Sequence, residues 1–244
     1  MELRIGYFYP DELNLYADRG NVICLVQRCR WRGIGVRVVP VELKERFDPD
    51  AFDILILGGG QDRDQRVVAG DLVEVKGEAL RAAVESGVVV LAACAAYQLL
   101  GHYYQPAEGE RIRGLGIFDA YTIHPGPAEP RCIGNIVVEW QGRTLVGFEN
   151  HGGRTVLGPG ATPLGRVVVG FGNNGQDGTE GAVYKSAFGT YMHGSLLPKN
   201  PHFADHLIWL ALKRRYADAT LAPLDDRLEL AAHQAAIQRA KAGD

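Results

Sequence analysis

The sequence predicts an α/β fold, a central and mostly parallel sheet flanked by helices with antiparallel strands added to it. Three observations carry that expectation. Several short strands are apolar along their whole length, which is how strands covered on both faces read. Helical stretches separate them, as parallel neighbours require. After about residue 112 the texture changes to short β-rich runs joined by Gly, Pro and Asn, the pattern of hairpins and edge additions.

Taken in order, residues 3–8 form the first strand. Asp18 and Asn21 offer caps for a helix through Trp31, with Val22, Ile23, Val26 and Cys29 inward and Gly33 ending it. Residues 36–39 and 53–57 are the second and third strands, and the third runs straight into Gly58-Gly59-Gly60. One helix is predicted over 71–85, a fourth strand over 88–92, and a helix from Ala95 to Leu100 closed by Gly101. The β-rich part comprises 118–124, 135–140, 145–148, 166–169 and 182–184. A last strand spans 188–192, then a helix at 201–216 and a polar helix at 227–242. The domain division is 1–220, with a helical tail over 221–244.

Composition narrows the class. The chain is 46% hydrophobic and 23% charged, which excludes disorder and fibrous repeats. A net charge of −3 gives no pull toward nucleic acid or an anionic membrane. No run approaches the 18 apolar residues of a membrane span, and the first ten residues do not form a signal peptide. The four cysteines show no metal-ligand spacing, so no metal is expected, and reduced thiols in the cytoplasm are the expectation. Arg28, Arg30, Arg32 and Arg37 read as a solvated basic face, with a protein contact as the alternative.

The chemistry concentrates at VVVLAACAAYQLLG, residues 88–101, where a buried strand runs into Cys94 and a helix starts directly after it. That is a nucleophile-elbow layout, in which small neighbours let a sharp turn lift one side chain above the sheet edge. A buried packing cysteine is the bland alternative. Gly58–Gly60 end a strand at the same sheet edge, where their N–H groups and that of Ala95 can face a developing oxyanion. His193, at the end of an apolar strand in FGTYMHGS, fits a thiol enzyme's base. His102, His202, His206 and His233 read as surface residues, and His151, in GFENHGGRT, is less easily set aside. There is no phosphate-binding loop and no GxGxxG helix start, so no nucleotide site is expected in this chain.

The stretches LNLYADRGN, GGGQDRDQ, the Cys94 elbow with YQLLG, GFENHGGRT and GTYMHGSLLPKN occur in an order that resembles the class I, triad-type glutamine amidotransferases. The resemblance extends to the cobyric-acid-synthase-like branch and, within it, the glutaminase subunits of lipid II isoglutaminyl synthases. It covers nearly the whole chain and implies a Rossmann-like amidotransferase fold. It also implies that Cys94 attacks the side-chain amide of L-glutamine, that His193 is base and acid, and that Gly59, Gly60 and Ala95 hold the oxyanion. Arg131 would take the α-carboxylate, and Gln98 would shape the substrate end.

Two departures stand out. Ala95 and Ala96 replace the family's usual glycines, and Ser195 stands where the wider class carries a glutamate two residues past the histidine. A third catalytic member is then open: Asp18 or Glu149 from this chain, His151 as an accessory, or an acid donated by a partner subunit. The implied partner is a Mur-ligase-like (MurT-type) ATP-dependent subunit that holds ATP and Mg²⁺ and reaches lipid II, while this chain carries no cofactor. A corrinoid-amidating enzyme and a catalytically silent scaffold are the alternatives.

Overall fold

A computed structural model describes residues 1–14, 18–193 and 196–243. The expectation attached to Ser195, and Leu15–Ala17 of the LNLYADRGN stretch, lie outside the described residues. Six strands form the central sheet: β1 (Glu2–Phe8), β2 (Gly35–Val41), β3 (Ile54–Leu57), β4 (Val89–Ala93), β13 (Ala182–Tyr184) and β14 (Ala187–Thr190). Their order is β13-β14-β4-β3-β1-β2, all parallel except β13, which pairs antiparallel with β14.

The apolar runs have a direct explanation. Ile54, Ile56, Val89 and Leu91 point to one face, under α1 (Arg19–Trp31) and α5 (Pro201–Arg215). Leu55, Leu57, Val88 and Val90 point to the other, under α2 (Asp62–Glu74), α3 (Gly77–Glu85) and α4 (Ala95–Leu100). A strand buried on both faces has no polar side to alternate with.

Three local expectations are corrected. The single helix over 71–85 is two helices, because the Asp71 backbone carbonyl accepts from the N–H groups of both Val75 and Lys76 and closes α2, while its carboxylate is held by Tyr9 and Lys76. In α1 the inward residues are Val22, Leu25 and Cys29, whereas Ile23 is 60% exposed. The basic face is not solvated throughout: Arg28 is buried against Asp205 and Asp226, and Arg32 also bonds Asp205.

The β-rich segments form two further four-stranded sheets, and only β13 is an edge addition to the central one. One comprises β5 (Tyr103–Gln105), β6 (Ile112–Arg113), β7 (Ala120–Ile123) and β10 (Arg154–Leu157), and its β5–β7 pair is parallel, not a hairpin. The other comprises β8 (Cys132–Trp140), β9 (Arg143–His151), β11 (Gly165–Val169) and β12 (Thr179–Glu180). The last helix, α6 (Arg227–Ala242), lays Ala236, Ile237 and Ala240 on Val137 and Val146 of the β8–β9 hairpin. His233, expected at the surface, is buried there between Thr144 Oγ1 and the Lys199 carbonyl, each at 2.8 Å.

Among the described residues no helix is long and apolar enough to cross a membrane.

Candidate active site

Three parallel neighbours, β3, β4 and β14, end at one sheet edge, with Leu57 beside Ala92 and Ala93 beside Thr190. The residues that follow them are therefore neighbours too: Gly58–Gly60, Cys94 and the segment leading to His193. Chain topology alone brings the distant stretches singled out in the sequence to one place.

At the elbow Cys94 has φ 47° and ψ −103°, a conformation rare for a side-chain-bearing residue. Its N–H donates to the Thr190 carbonyl at 2.8 Å and its carbonyl accepts from Gln98 N–H at 3.0 Å, so both neighbours hold the turn. The strain falls on Cys94 itself. Ala95 and Ala96 lie inside α4 without positive φ, which answers the departure from glycine at those positions.

Burial pushes the Cys24 and Cys29 thiols up to about 12 and raises Cys132 as well, so those three are packing residues.

His193 is buried, and its Nδ1 lies 3.3 and 3.4 Å from the two carboxylate oxygens of Asp18. Burial by itself pushes the imidazolium pKa down. The negative charge of a Cys94 thiolate and hydrogen bonds to Asp18 and Cys94 outweigh it, and the pKa is raised.

Asp18 is itself oriented, accepting the Gly59 N–H at 2.7 Å. That bond corrects one expectation: the Gly59 N–H is committed to a carboxylate and is not available for an oxyanion. Gly59 matters by its missing side chain instead. A Cβ there would stand 2.4 Å from His193 Cε1. Glu149, the other in-chain candidate, is turned away, accepting Phe171 N–H at 2.6 Å and Gly172 N–H at 2.9 Å.

A cavity of about 380 Å³ opens over Cys94, and Gly60, Gln98, Arg131, His151 and His193 all line it. Arg131 is steered by Asn150, whose Oδ1 accepts from Nε at 3.0 Å and whose carbonyl accepts from the guanidinium at 3.2 Å. Gln98 closes the inner end, donating to Tyr191 Oη at 3.0 Å and accepting from Gln65 at 2.9 Å.

Sequence reasoning missed Asn150, Gln65, Tyr191 and the lining residue Arg63. All four lie within quoted motif stretches, but the contacts of the first three are to residues far along the chain.

A strained cysteine at a strand–helix elbow, an imidazole on the same sheet edge and a carboxylate behind that imidazole fit the arrangement expected of a class I glutamine amidotransferase. The fold agrees. The structure of PurLQS from Thermotoga maritima superposes with a TM-score of 0.61 at 17% identity, covering 87% of this chain and 99% of that one. More specifically, the chain belongs to the CobB/CobQ-like glutamine amidotransferase domain family, whose model matches residues 4–201.

Two relatives resemble it from end to end. The lipid II isoglutaminyl synthase (glutamine-hydrolyzing) subunit GatD of Staphylococcus aureus is 42% identical over 240 residues, 98% of this chain and 96% of that protein. The GatD subunit of Streptococcus pneumoniae is 40% identical over 230 residues, 93% of this chain and 87% of that one.

Proposed function

We propose that this chain is the glutaminase subunit of a lipid II isoglutaminyl synthase. The observation that carries the reading is the row Cys94–His193–Asp18 at the floor of a pocket walled by Arg131 and Gln98. Arg131 takes the α-carboxylate of L-glutamine, a pairing that suits a guanidinium fork. Cys94 attacks the side-chain carbonyl as thiolate while His193 holds the proton. The oxyanion lies toward the N–H groups of Gly60 and Ala95.

His193 then gives its proton to the departing nitrogen, ammonia leaves, and a γ-glutamyl thioester remains on Cys94. Water, deprotonated by the same imidazole, attacks the thioester carbonyl; the bond to sulfur breaks and glutamate is released. Asp18 keeps His193 Nδ1 protonated and facing it, so an in-chain carboxylate is favoured over one donated by a partner.

The ammonia passes to a Mur-ligase-like, MurT-type partner in the cytoplasm. That partner would hold ATP and Mg²⁺, which would supply the activation of the D-glutamate α-carboxylate of lipid II that amide formation with ammonia requires.

The test is co-expression with that partner and an assay of lipid II amidation. Cys94→Ala is expected to abolish glutamine-driven amidation while ammonium restores it. Retained glutamine use by Cys94→Ala would overturn the assignment. A wild-type complex that releases no ammonia, with Cys94 inert to iodoacetamide, would point to a scaffold instead.

A further inference from the structure

His151 lines the pocket but belongs to neither the nucleophile nor the base. Its buried ring lies face to face on Tyr191, with centroids 3.6 Å apart and planes 11° from parallel. Nδ1 is 2.8 Å from the Gly153 carbonyl, an acceptor only, so Nδ1 carries a proton and donates it. Nε2 is buried without a hydrogen-bond partner, 3.6 Å from Glu149 Oε2. Burial pushes the pKa down, so the ring is neutral near neutral pH and ill suited to carry a proton during the reaction.

What the ring holds is informative. The backbone at Gly152 and Gly153 passes between the two ends of the pocket. A Cβ on Gly152 would meet Arg131 at 3.2 Å, and one on Gly153 would meet Gln98 Nε2 at 2.7 Å and Thr122 Cγ2 at 2.6 Å. Tyr191, under the ring, is the residue to which Gln98 donates.

We propose that His151 is a positioning residue for glutamine: through the Gly153 carbonyl and the Tyr191 ring it fixes the pocket wall between Arg131 and Gln98. The inference rests on the glutaminase reading. His151 touches the wall, not the reacting atoms, so its removal loosens substrate binding and leaves the Cys94–His193 chemistry in place. His151→Phe keeps the stack on Tyr191 and loses the donor to Gly153. His151→Asn keeps a donor at that position and loses the stack.

In the complex with the ligase partner, His151→Phe is expected to raise the KM for glutamine roughly tenfold, the loss of about one good hydrogen bond, with kcat within about threefold. His151→Asn is expected to recover part of that KM. The rate of Cys94 alkylation by iodoacetamide is expected to stay at the wild-type value in both. Inactivation by a glutamine-derived chloroketone is expected to weaken in step with KM.

A fall in kcat alone, or unchanged KM in both variants, would overturn the proposal. Should the His151 variants fail to fold, Gly153→Ala pushes the same wall from its other side and is expected to show the same split. A wild-type complex that cannot hydrolyse glutamine would sink the glutaminase reading and this inference together. A working wild type whose variants keep their KM would sink the inference alone.

Discussion

At the scale of single residues, the site depends on charges that are buried only because each has a partner. Asp18 accepts from Gly59 and faces His193, so its removal leaves an imidazole with no anion behind it. Asp18→Asn is expected to lower kcat by roughly 10²–10⁴ with little change in KM, as when the orienting carboxylate of a triad is neutralised.

The pH profile gives the sign. The folded state raises the His193 pKa, so the imidazolium form is fully favoured below the ordinary value of about 6.5 and lost as pH climbs through the raised one. Without Asp18 the alkaline limb of kcat/KM is therefore expected to move to lower pH.

Glu180 behaves oppositely in origin. It is fully buried, with Oε1 accepting from Thr190 Oγ1 at 2.6 Å and Tyr191 N–H at 2.8 Å and Oε2 unpartnered. Burial pushes its pKa up to about 7 from 4.5. The protonated form suits the fold, so its stabilisation is complete below about 4.5 and is lost as pH rises to about 7, a swing of about 3 kcal/mol. Glu180→Gln is expected to flatten that part of the stability–pH curve in urea titrations. An unchanged slope between pH 5 and 7 would contradict it.

At the scale of elements, Arg28 ties α1 to α5 and to the start of α6. It bonds Asp205 through Nε and Nη2 at 2.7 Å each, and Asp226 through Nη1 and Nη2 at 2.7 and 3.0 Å. Removing one side of a buried ion cluster leaves uncompensated charge, so Arg28→Ala is expected to cost roughly 3–5 kcal/mol. For a chain of this size that lowers Tm on the order of 10 °C. Arg30, on the exposed face of the same helix, is expected to tolerate alanine.

The contrast shows what was legible beforehand. The central strands were readable because burial on both faces writes itself as an apolar run. The Cys94 elbow was readable because its requirements, a strand end and small neighbours, are local. Arg28 was not, since what distinguishes it from Arg30 is a pair of aspartates about 180 and 200 residues away. Asp18 was one of two open carboxylates for the same reason. Nothing within reach of either sequence position says which of them faces an imidazole 175 residues from Asp18.

At the scale of the whole molecule, the open question is whether α6 is an appendage or part of the catalytic body. Its inner face covers Val137 and Val146, and His233 joins the β8–β9 hairpin to the chain around Lys199. That hairpin ends in Asn150 and His151, the residues that set Arg131 and the pocket wall. The outer face of α6 is another matter, since Leu228 there is 80% exposed.

A chain ending at Ala222 loses the apolar cover of the hairpin and the Asp226 half of the Arg28 cluster together. It is expected to melt several degrees lower. It is also expected to bind glutamine more weakly, with KM raised more than kcat falls, because the relaxed hairpin carries the wall rather than the nucleophile. The two losses share a residue pair, so Arg28→Ala should destabilise the truncated chain less than the full one, a non-additivity readable in a double-mutant cycle. Wild-type Tm and KM in the truncated chain would make residues 221–244 a separate tail. A lowered Tm with coupled KM would make the helix a structural part of the glutamine site.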